Sequence, residues 1–164
     1  MFYEEAGDPI LADADWLNQF GMLYEREFAV LTRTAFLIVG DEAVAEELCQ
    51  EAFIKLIQHR RRVHNPGAFL RKVVTRKALT ALKRSKGERQ RLLLEMPSAA
   101  PAPSEPDGIW PHVMNLPPAM RAVVVLRFYC DLTHEEIATA LGCRPATART
   151  RLHRALRRLE EVVK

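Results

Sequence analysis

The sequence predicts an all-α fold of two small helical domains joined by a flexible linker. Apolar residues recur at three- and four-residue steps through most of the 164 residues, which is the spacing of one helix face. Between Asp15 and Arg84 no alternation of apolar and polar residues indicates a strand. Residues 87–108 then carry four prolines, which favour extended conformations and exclude a long helix.

Composition narrows the class of protein. The chain is 48% hydrophobic and 27% charged with a formal net charge of +3, so any binding of nucleic acid must come from local patches. Cys49, Cys130 and Cys143 lack paired spacing, which favours a reducing cytoplasm over a disulfide framework or a zinc site. No apolar run has the length of a membrane span, and the acidic N-terminus does not resemble a signal peptide. We therefore expect a cytoplasmic protein with no membrane partner.

Residues 1–14 are acidic and are predicted to form a loosely ordered N-terminal tail, and residues 15–86 the first domain. Apolar residues within 16–24 indicate a first helix and those within 28–36 a second, which ends at Gly40. Asp41 is predicted to cap a third helix.

Asn65 and Pro66 form an N-cap followed by proline, which opens a fourth helix running to about Ser85. Its inward face is expected to contain Leu70, Val74 and Ala78. Residues 87–108 are assigned to the linker and 109–164 to the second domain.

The second domain begins with a short helix at residues 110–116, and Pro117 and Pro118 open the next. The apolar run of that helix is expected to pack beneath the two helices that follow. It consists of Val123, Val124, Val125, Leu126 and Phe128.

Residues 132–161 read as two helices joined by a tight turn. Thr133 and Glu136 have the spacing of a capping box, and Gly142 suits a left-handed C-cap. Pro145 suits the first turn of the second helix. A short helix, a glycine turn and a second helix make a helix-turn-helix, whose second helix can enter the DNA major groove.

The second helix of this unit is strongly basic on its exposed faces, whereas the first carries Glu135 and Glu136. A solvated surface would also be rich in arginine. The asymmetry between the two helices favours an approach of the second one to phosphates.

Two surfaces of the first domain carry charge. Glu46, Glu47, Gln50 and Glu51 form an acidic ridge on the third helix, which suits docking onto a basic protein, although the residues alone favour a plain solvated face. The fourth helix and the loop at residues 60–64 are basic, as expected of a surface that attracts a phosphate backbone.

Catalytic chemistry is not indicated. The sequence has no glycine-rich phosphate loop and no paired-cysteine or His-x-x-Glu-His metal spacing, and its five histidines are scattered. We predict no catalytic residue, no metal site, no cofactor and no enzymatic activity.

Two segments of the chain resemble parts of a known family. The segment from Gly40 to Arg84 resembles the second domain of bacterial sigma factors. The segment from Leu116 to Glu161 resembles their fourth domain, with Leu-Pro-Pro, Leu-Thr-x-x-Glu-Ile-Ala, Leu-Gly-Cys and Thr-x-x-x-Arg-Leu-His-Arg-Ala in order. A short linker with no intervening domain is the layout of the extracytoplasmic-function group.

The resemblance implies a sigma factor whose partners are core RNA polymerase and promoter DNA, and it leaves an anti-sigma factor open as a third partner. The third helix would grip the coiled coil of the largest polymerase subunit, through Glu47, Gln50, Glu51, Ile54 and Ile57. The fourth helix and its preceding loop would open the promoter at the −10 element, through His64, Asn65, Phe69, Arg71, Lys72, Arg76 and Lys83. The helix-turn-helix would read the −35 element, through Arg144, Thr147, Arg149, Thr150, Arg151, His153 and Arg154.

The sequence departs from the family pattern at several positions. Many members have tryptophan at the position of Phe69, asparagine at Arg76 and aspartate at Thr80. Many also have serine at the position of Arg144, so the reading helix here lacks a side-chain N-cap, at a cost of about 1 kcal/mol.

Two other classes of function compete with this interpretation. A helix-turn-helix transcription regulator would use the same reading helix without binding polymerase, and a helical interaction module would sequester a partner protein. The acidic ridge and the basic fourth helix favour a sigma factor, because a plain repressor needs neither. Co-purification with core polymerase separates the first two classes, and loss of all specific DNA binding would favour the third.

Overall fold

The computed structural model describes residues 9–92 and 108–164, in which seven α-helices and one short 3-10 helix form the fold. In chain order these are α1 (Pro9–Val39), α2 (Glu42–His59), the 3-10 helix (Arg60–Arg62), α3 (Pro66–Leu92), α4 (Trp110–Met114), α5 (Pro118–Phe128), α6 (His134–Leu141) and α7 (Pro145–Val163). These residues contain no strand, which confirms the all-α prediction. No helix of the described ranges is long and apolar enough to cross a membrane.

Helix α1 corrects the predicted start of the chain. Residues 16–24 and 28–36 do not form two helices but lie on one helix of 31 residues. No proline separates them, and the rings of Tyr24 and Phe28 stack across the predicted break with centroids 4.7 Å apart. The helix begins at Pro9, so the tail prediction fails for residues 9–14, whereas residues 1–8 lie outside the described residues.

Helices α2 and α3 start at the predicted N-cap residues, Asp41 and Asn65. Gly40 adopts a left-handed conformation with φ 79°, and the Asp41 side chain accepts a hydrogen bond of 2.9 Å from the Val44 N–H. The Asn65 side chain accepts one of 3.0 Å from the Ala68 N–H. Helix α3 runs on to Leu92, past its predicted end near Ser85.

Helices α1, α2 and α3, the first half of the protein, pack into one bundle. Phe53 of α2 lies against an aromatic ladder on α1, with ring centroids 5.0 Å from Tyr24 and 5.8 Å from Phe20. The buried core of this half consists of Leu31, Ala35, Ala45, Cys49, Ala52, Phe53, Leu56, Leu70 and Val74. Burying these side chains is the main stabilising contribution to the half.

Helices α4 to α7, the second half, form another core. Val123, Val124 and Leu126 of α5 pack against the helix-turn-helix as predicted. The other two residues of the predicted run do not: Val125 is buried against the first half, and Phe128, the last residue of α5, is 64% exposed. The remaining core includes Leu132, Ile137, Ala148, Leu152, Ala155 and Leu159.

The two halves pack against each other through a third cluster, here called the joint. It is formed by Leu37, Ile38, Leu48 and Ala78 of the first half with Ala122 and Val125 of the second. The hydroxyl of Thr34 and the thiol of Cys130 add a polar contact of 3.3 Å across it. The predicted linker lies mostly in residues 93–107, outside the described residues, so its flexibility stays a prediction.

Candidate polymerase and nucleic-acid interfaces

The helix-turn-helix forms as its local signals predict. Thr133 and Glu136 make a complete capping box, with the Glu136 N–H donating to the Thr133 hydroxyl at 3.2 Å and the Thr133 N–H to the Glu136 carboxylate at 2.8 Å. This hydrogen bond from the Thr133 backbone is the main reason that the pKa of Glu136 is lowered, and the nearby Arg71 contributes further. Gly142 closes α6 with φ 68°.

Helix α7 separates a buried face from a basic one. Ala148, Leu152, Ala155 and Leu159 are buried against the rest of the second half. Of the predicted −35 residues, Thr147 and Arg151 are half-buried and the others are exposed, namely Arg144, Arg149, Thr150, His153 and Arg154. The structure therefore places all seven on or beside one helix, with most of them open to solvent.

The start of α7 has two features that bear on recognition. Arg144 makes no side-chain cap, as its identity predicts, so no side chain covers the positive end of the helix dipole at the start of α7. The Thr150 hydroxyl donates to the Ala146 carbonyl at 2.9 Å. Because its hydroxyl is engaged by its own helix, Thr150 has its methyl group left for an apolar contact.

The predicted −10 residues lie along α3 and the loop before it. Arg76, Lys83, His64 and Asn65 are exposed, and Arg71 and Lys72 are half-buried. The Asn65 side-chain oxygen caps α3, and the cap does not use the amide group of the same side chain.

Phe69 differs from what its predicted role requires. Its ring is half-buried and packs against the core of the first half, with its centroid 6.3 Å from that of His59. A side chain held in this way contributes to packing, and it offers a base less surface than an exposed ring would.

A groove beside the same loop was missed by the sequence analysis. It has a volume of about 650 Å³ and lies between α1 and residues 60–67. The Arg60 guanidinium lies over the Trp16 ring, 4.8 Å from its centroid, at this groove. Trp16 was assigned only to a first helix by its spacing, and in the structure its side chain is half-buried beside this groove. His64, Asn65 and Arg71 line the same groove.

The predicted polymerase-binding residues form a stripe on α2. Glu47, Gln50, Ile54 and Ile57 are separated by three, four and three positions, so they follow one side of the helix. All four are exposed, and the two isoleucines retain 53% and 44% of their accessible surface. Glu51 lies beside this stripe, half-buried, and forms an ion pair with Lys77 of α3.

Within residues 9–92 and 108–164, no group of three or more histidine, cysteine or acidic side chains is arranged to hold a metal ion. Three surfaces that carry the predicted site residues are open to solvent in whole or in part: the stripe of α2, here called the docking stripe after its predicted role, the basic side of α3 with its loop, and the exposed side of α7.

Comparisons with known proteins match both halves. Residues 23–88 match the family described as Sigma-70 region 2, and residues 113–159 the family described as Sigma-70, region 4. The chain is 32% identical over 145 residues to the ECF RNA polymerase sigma factor SigE of Mycolicibacterium smegmatis, covering 79% of this chain and 55% of that protein. It is 30% identical over 149 residues to the ECF RNA polymerase sigma factor SigL of Mycobacterium tuberculosis, covering 84% of each.

A solved structure shares the fold. The sigma factor RpoE of Bartonella quintana, crystallised in complex with the anti-sigma factor NepR, superposes with a TM-score of 0.72 over 88% of this chain and 96% of that one, at 18% identity. The matches to regions 2 and 4, together with the identity to SigL across most of its length, show that the chain belongs to the extracytoplasmic-function group of the sigma-70 family of RNA polymerase sigma factors.

Proposed function

We propose that this chain binds core RNA polymerase through the docking stripe of α2 and directs it to promoters that carry −10 and −35 elements. The observation that carries the proposal is the exposure of Ile54 and Ile57 beside Glu47 and Gln50. Exposed β-branched residues aligned on a helix are costly to leave in water and indicate a protein partner.

The spacing of the stripe also suggests the shape of that partner. Steps of three, four and three residues are those by which one helix packs along another in a coiled coil. The carboxylate of Glu47, within the stripe, would meet a basic group on the partner. This supports docking onto the coiled coil of the largest polymerase subunit, as the family resemblance implies.

The basic side of α3 supports capture of the melted −10 strand. Arg71, Lys72, Arg76 and Lys83 supply charge along the helix, and His64 and Asn65 stand at the loop end beside the groove. The groove falls within the size range of small-molecule sites, about 300–1,000 Å³, so it has room for a base extruded from the strand. We propose that Trp16 and Arg60 line the site of that base.

The exposed side of α7 supports reading of the −35 element. Arg149 lies in the N-terminal part of the helix, which points at base edges in a helix-turn-helix. It makes no hydrogen bond or ion pair with the described residues, so its guanidinium remains available for a guanine edge. Arg144 and Arg151 are assigned to contacts with the phosphate backbone, and the methyl group of Thr150 suits an apolar contact with the methyl group of a thymine.

A helix-turn-helix regulator that never binds polymerase would use α7 equally well. It would leave the exposed stripe of α2 without a role. We further propose that the protein acts in the cytoplasm, where polymerase and promoter DNA lie, and has no enzymatic activity of its own. The relative crystallised with NepR supports an anti-sigma protein as another class of partner.

Reconstitution tests the proposal directly. Core polymerase mixed with the purified chain should co-elute with it in gel filtration and give transcripts with defined start sites on a library of promoter fragments. Core alone provides the control. Absence of both co-elution and defined starts would contradict the proposal, whereas DNA binding without co-elution would favour the regulator.

A further inference from the structure

Three polar side chains meet at the floor of the groove between α1 and residues 60–67. They surround Gly67, the second residue of α3. A Cβ atom on this glycine would lie 3.6 Å from Nη1 of Arg71, 3.8 Å from Oδ1 of Asn65 and 4.0 Å from Oε1 of Glu27. A hydrogen-bond donor and two acceptors therefore converge on a space that stays open because glycine has no side chain.

Glu27 is the member of this set that the sequence did not indicate. It lies on α1, outside the loop and helix to which the −10 residues were assigned. Its side chain is only 17% exposed, and Oε1 accepts a hydrogen bond of 2.9 Å from Nε of Arg26, whose own side chain is 71% exposed. Its second oxygen forms no hydrogen bond with the described residues. A carboxylate held in this way has acceptor capacity left for a ligand in the groove.

The walls of the groove suit a flat aromatic ring. Their apolar part consists of Trp16, Phe20, Leu23, Leu56 and Val63. A nucleobase has two faces that stack on apolar or aromatic walls and a polar edge that can meet the floor. Proteins that take a base out of the stack read it in this way, through its faces and its Watson–Crick edge. The polar groups of the floor then decide which base fits.

The four bases differ in what their Watson–Crick edge offers to a carboxylate. Guanine presents two neighbouring donors, N1–H and the N2 amino group, which match the two oxygens of a carboxylate. Cytosine and adenine present one amino group beside a ring nitrogen that accepts. Thymine presents a single N–H between two carbonyl oxygens, which a carboxylate repels. Nη1 of Arg71 supplies a donor for the remaining acceptor of the guanine edge, O6.

We propose that the groove selects the base it captures, with Glu27 favouring guanine and excluding thymine. The inference rests on the proposed function, in which the groove holds a base of the melted −10 strand, and it adds the residue that decides the identity of that base. Guanine would pair with the carboxylate through two charge-assisted hydrogen bonds, whereas thymine would bury it against carbonyl oxygens. A bidentate pair of this kind discriminates against the wrong base by about tenfold to a hundredfold.

Selection by polymerase loaded with the full chain tests the proposal. The loaded enzyme opens promoter templates with a randomised −10 element, and the opened templates are sequenced. We expect one position at which guanine is favoured over thymine by about tenfold or more. Glu27→Gln should relax the preference at that position alone and admit thymine, because an amide both donates and accepts. A native consensus without such a guanine, or the same consensus for Glu27→Gln, would overturn the proposal.

Glu25→Gln is the matched control. It removes the same charge from an exposed position of α1 that does not line the groove, so its consensus should equal that of the native chain. If Glu25→Gln changed the same position of the consensus, the charge of α1 rather than a contact of Glu27 would set the preference. That result would also overturn the proposal.

Gly67→Ala tests where the base lies without altering any polar group. The added methyl group would meet its neighbours at ordinary contact distances, of which the closest is 3.6 Å, so thermal stability should be unchanged or slightly higher. The methyl group would nevertheless fill the floor of the groove. Affinity of the loaded polymerase for a single-stranded −10 oligonucleotide with the selected guanine should fall about tenfold. An oligonucleotide abasic at that position should bind equally well with the native chain and with Gly67→Ala.

Equal binding of the guanine oligonucleotide with Gly67→Ala and with the native chain would place the base elsewhere and overturn the inference. Failure of the proposed function gives a different result. If the loaded enzyme starts at defined sites but its −10 consensus does not depend on Glu27, only the inference fails. If core with the native chain gives no defined starts, the proposed function fails and the inference fails with it.

Discussion

Lys77 of α3 forms an ion pair with Glu51 of α2, so one of the predicted docking residues is already paired with a residue of the neighbouring basic helix. A lysine at position 51 would set two cations side by side, and lost docking could then not be told from a disturbed contact between α2 and α3. Glu47 and Gln50 are exposed and form no ion pair with the described residues, so their replacement tests docking more directly.

The double variant Glu47→Lys, Gln50→Lys should weaken binding to core polymerase about a hundredfold or more, because like charges opposed across an interface cost several kcal/mol. Its thermal unfolding should match that of the native chain. The matched control is Asp15→Lys, Gln19→Lys, an acid and a glutamine on the exposed side of α1. Titration of labelled core measures both, and equal affinities for the two variants would rule out the stripe.

Two substitutions of Asn65 distinguish its role as the N-cap of α3 from its proposed contact with DNA. Asn65→Ala should lower the free energy of unfolding by about 1 kcal/mol, since the Ala68 N–H loses its acceptor. Asn65→Asp keeps an acceptor and removes the amide donor, so stability should hold while binding of the −10 strand weakens. Urea unfolding and strand titration are compared for both variants. Intact strand binding by Asn65→Asp would limit this residue to its structural role.

Phosphate contacts along α3 should appear in the salt dependence of strand binding. Lys72→Ala and Lys83→Ala should each lower affinity similarly for all sequences and reduce the slope of log K against log salt by about 0.7, the value for one contact with a single strand. Lys77→Ala is the control, because that ammonium group pairs with Glu51. A slope that drops as much for Lys77→Ala as for the other two would argue for general electrostatics rather than defined contacts.

Arg149 should specify a base, whereas Arg144 and Arg151 should only position the helix. Arg149→Ala is expected to relax preference at one −35 position, with a loss of about 1–3 kcal/mol of discrimination. Arg144→Ala and Arg151→Ala should weaken all sequences alike. Selection from templates with a randomised −35 element, using polymerase loaded with each variant, distinguishes the two effects. An unchanged consensus for Arg149→Ala would refute the assignment.

The capping box predicts how stability depends on pH. The pKa of Glu136 is lowered by its hydrogen bond with the Thr133 N–H, so its stabilising effect is fully present above the usual pKa of glutamate, about 4.3. It is lost as the pH falls through the lowered value. Glu136→Gln should therefore lose less stability between neutral and acidic pH than the native chain, as measured by urea unfolding. If both chains lost the same free energy of unfolding between neutral and acidic pH, the carboxylate would contribute nothing to the cap.

The sequence was most informative where structure depends on neighbours along the chain. The side chains of Asp41, Asn65 and Thr133 accept from N–H groups three residues away, so the starts of α2, α3 and α6 could be predicted. The three- and four-residue spacing of alanine and leucine likewise predicted the two faces of α7. The continuity of α1 was missed because residues 16–24 and 28–36 were assigned to separate helices, whereas the stacked rings of Tyr24 and Phe28 span the gap between them.

Contacts between distant segments had no such signal. Arg76 and Arg121 donate hydrogen bonds to backbone carbonyls 64 and 83 residues away. Every residue has a backbone carbonyl, so the identity of the acceptor residue does not indicate such a contact. The burial of Phe69 was hidden for a related reason, because its neighbour His59 belongs to a different helix. The sequence was enough to place the docking stripe on α2, but it did not predict the ion pair between Glu51 and Lys77.

The single helix α1 fixes a distance within the protein. Trp16 at the groove and Ile38 at the joint lie 22 residues apart on one uninterrupted helix, about 33 Å at 1.5 Å per residue. Deleting one residue between them would shorten this spacing by about 1.5 Å and turn one end by about 100° relative to the other. The groove and the joint could then no longer face their partners together. Helix α1 can therefore accept changes of residue but not changes of length.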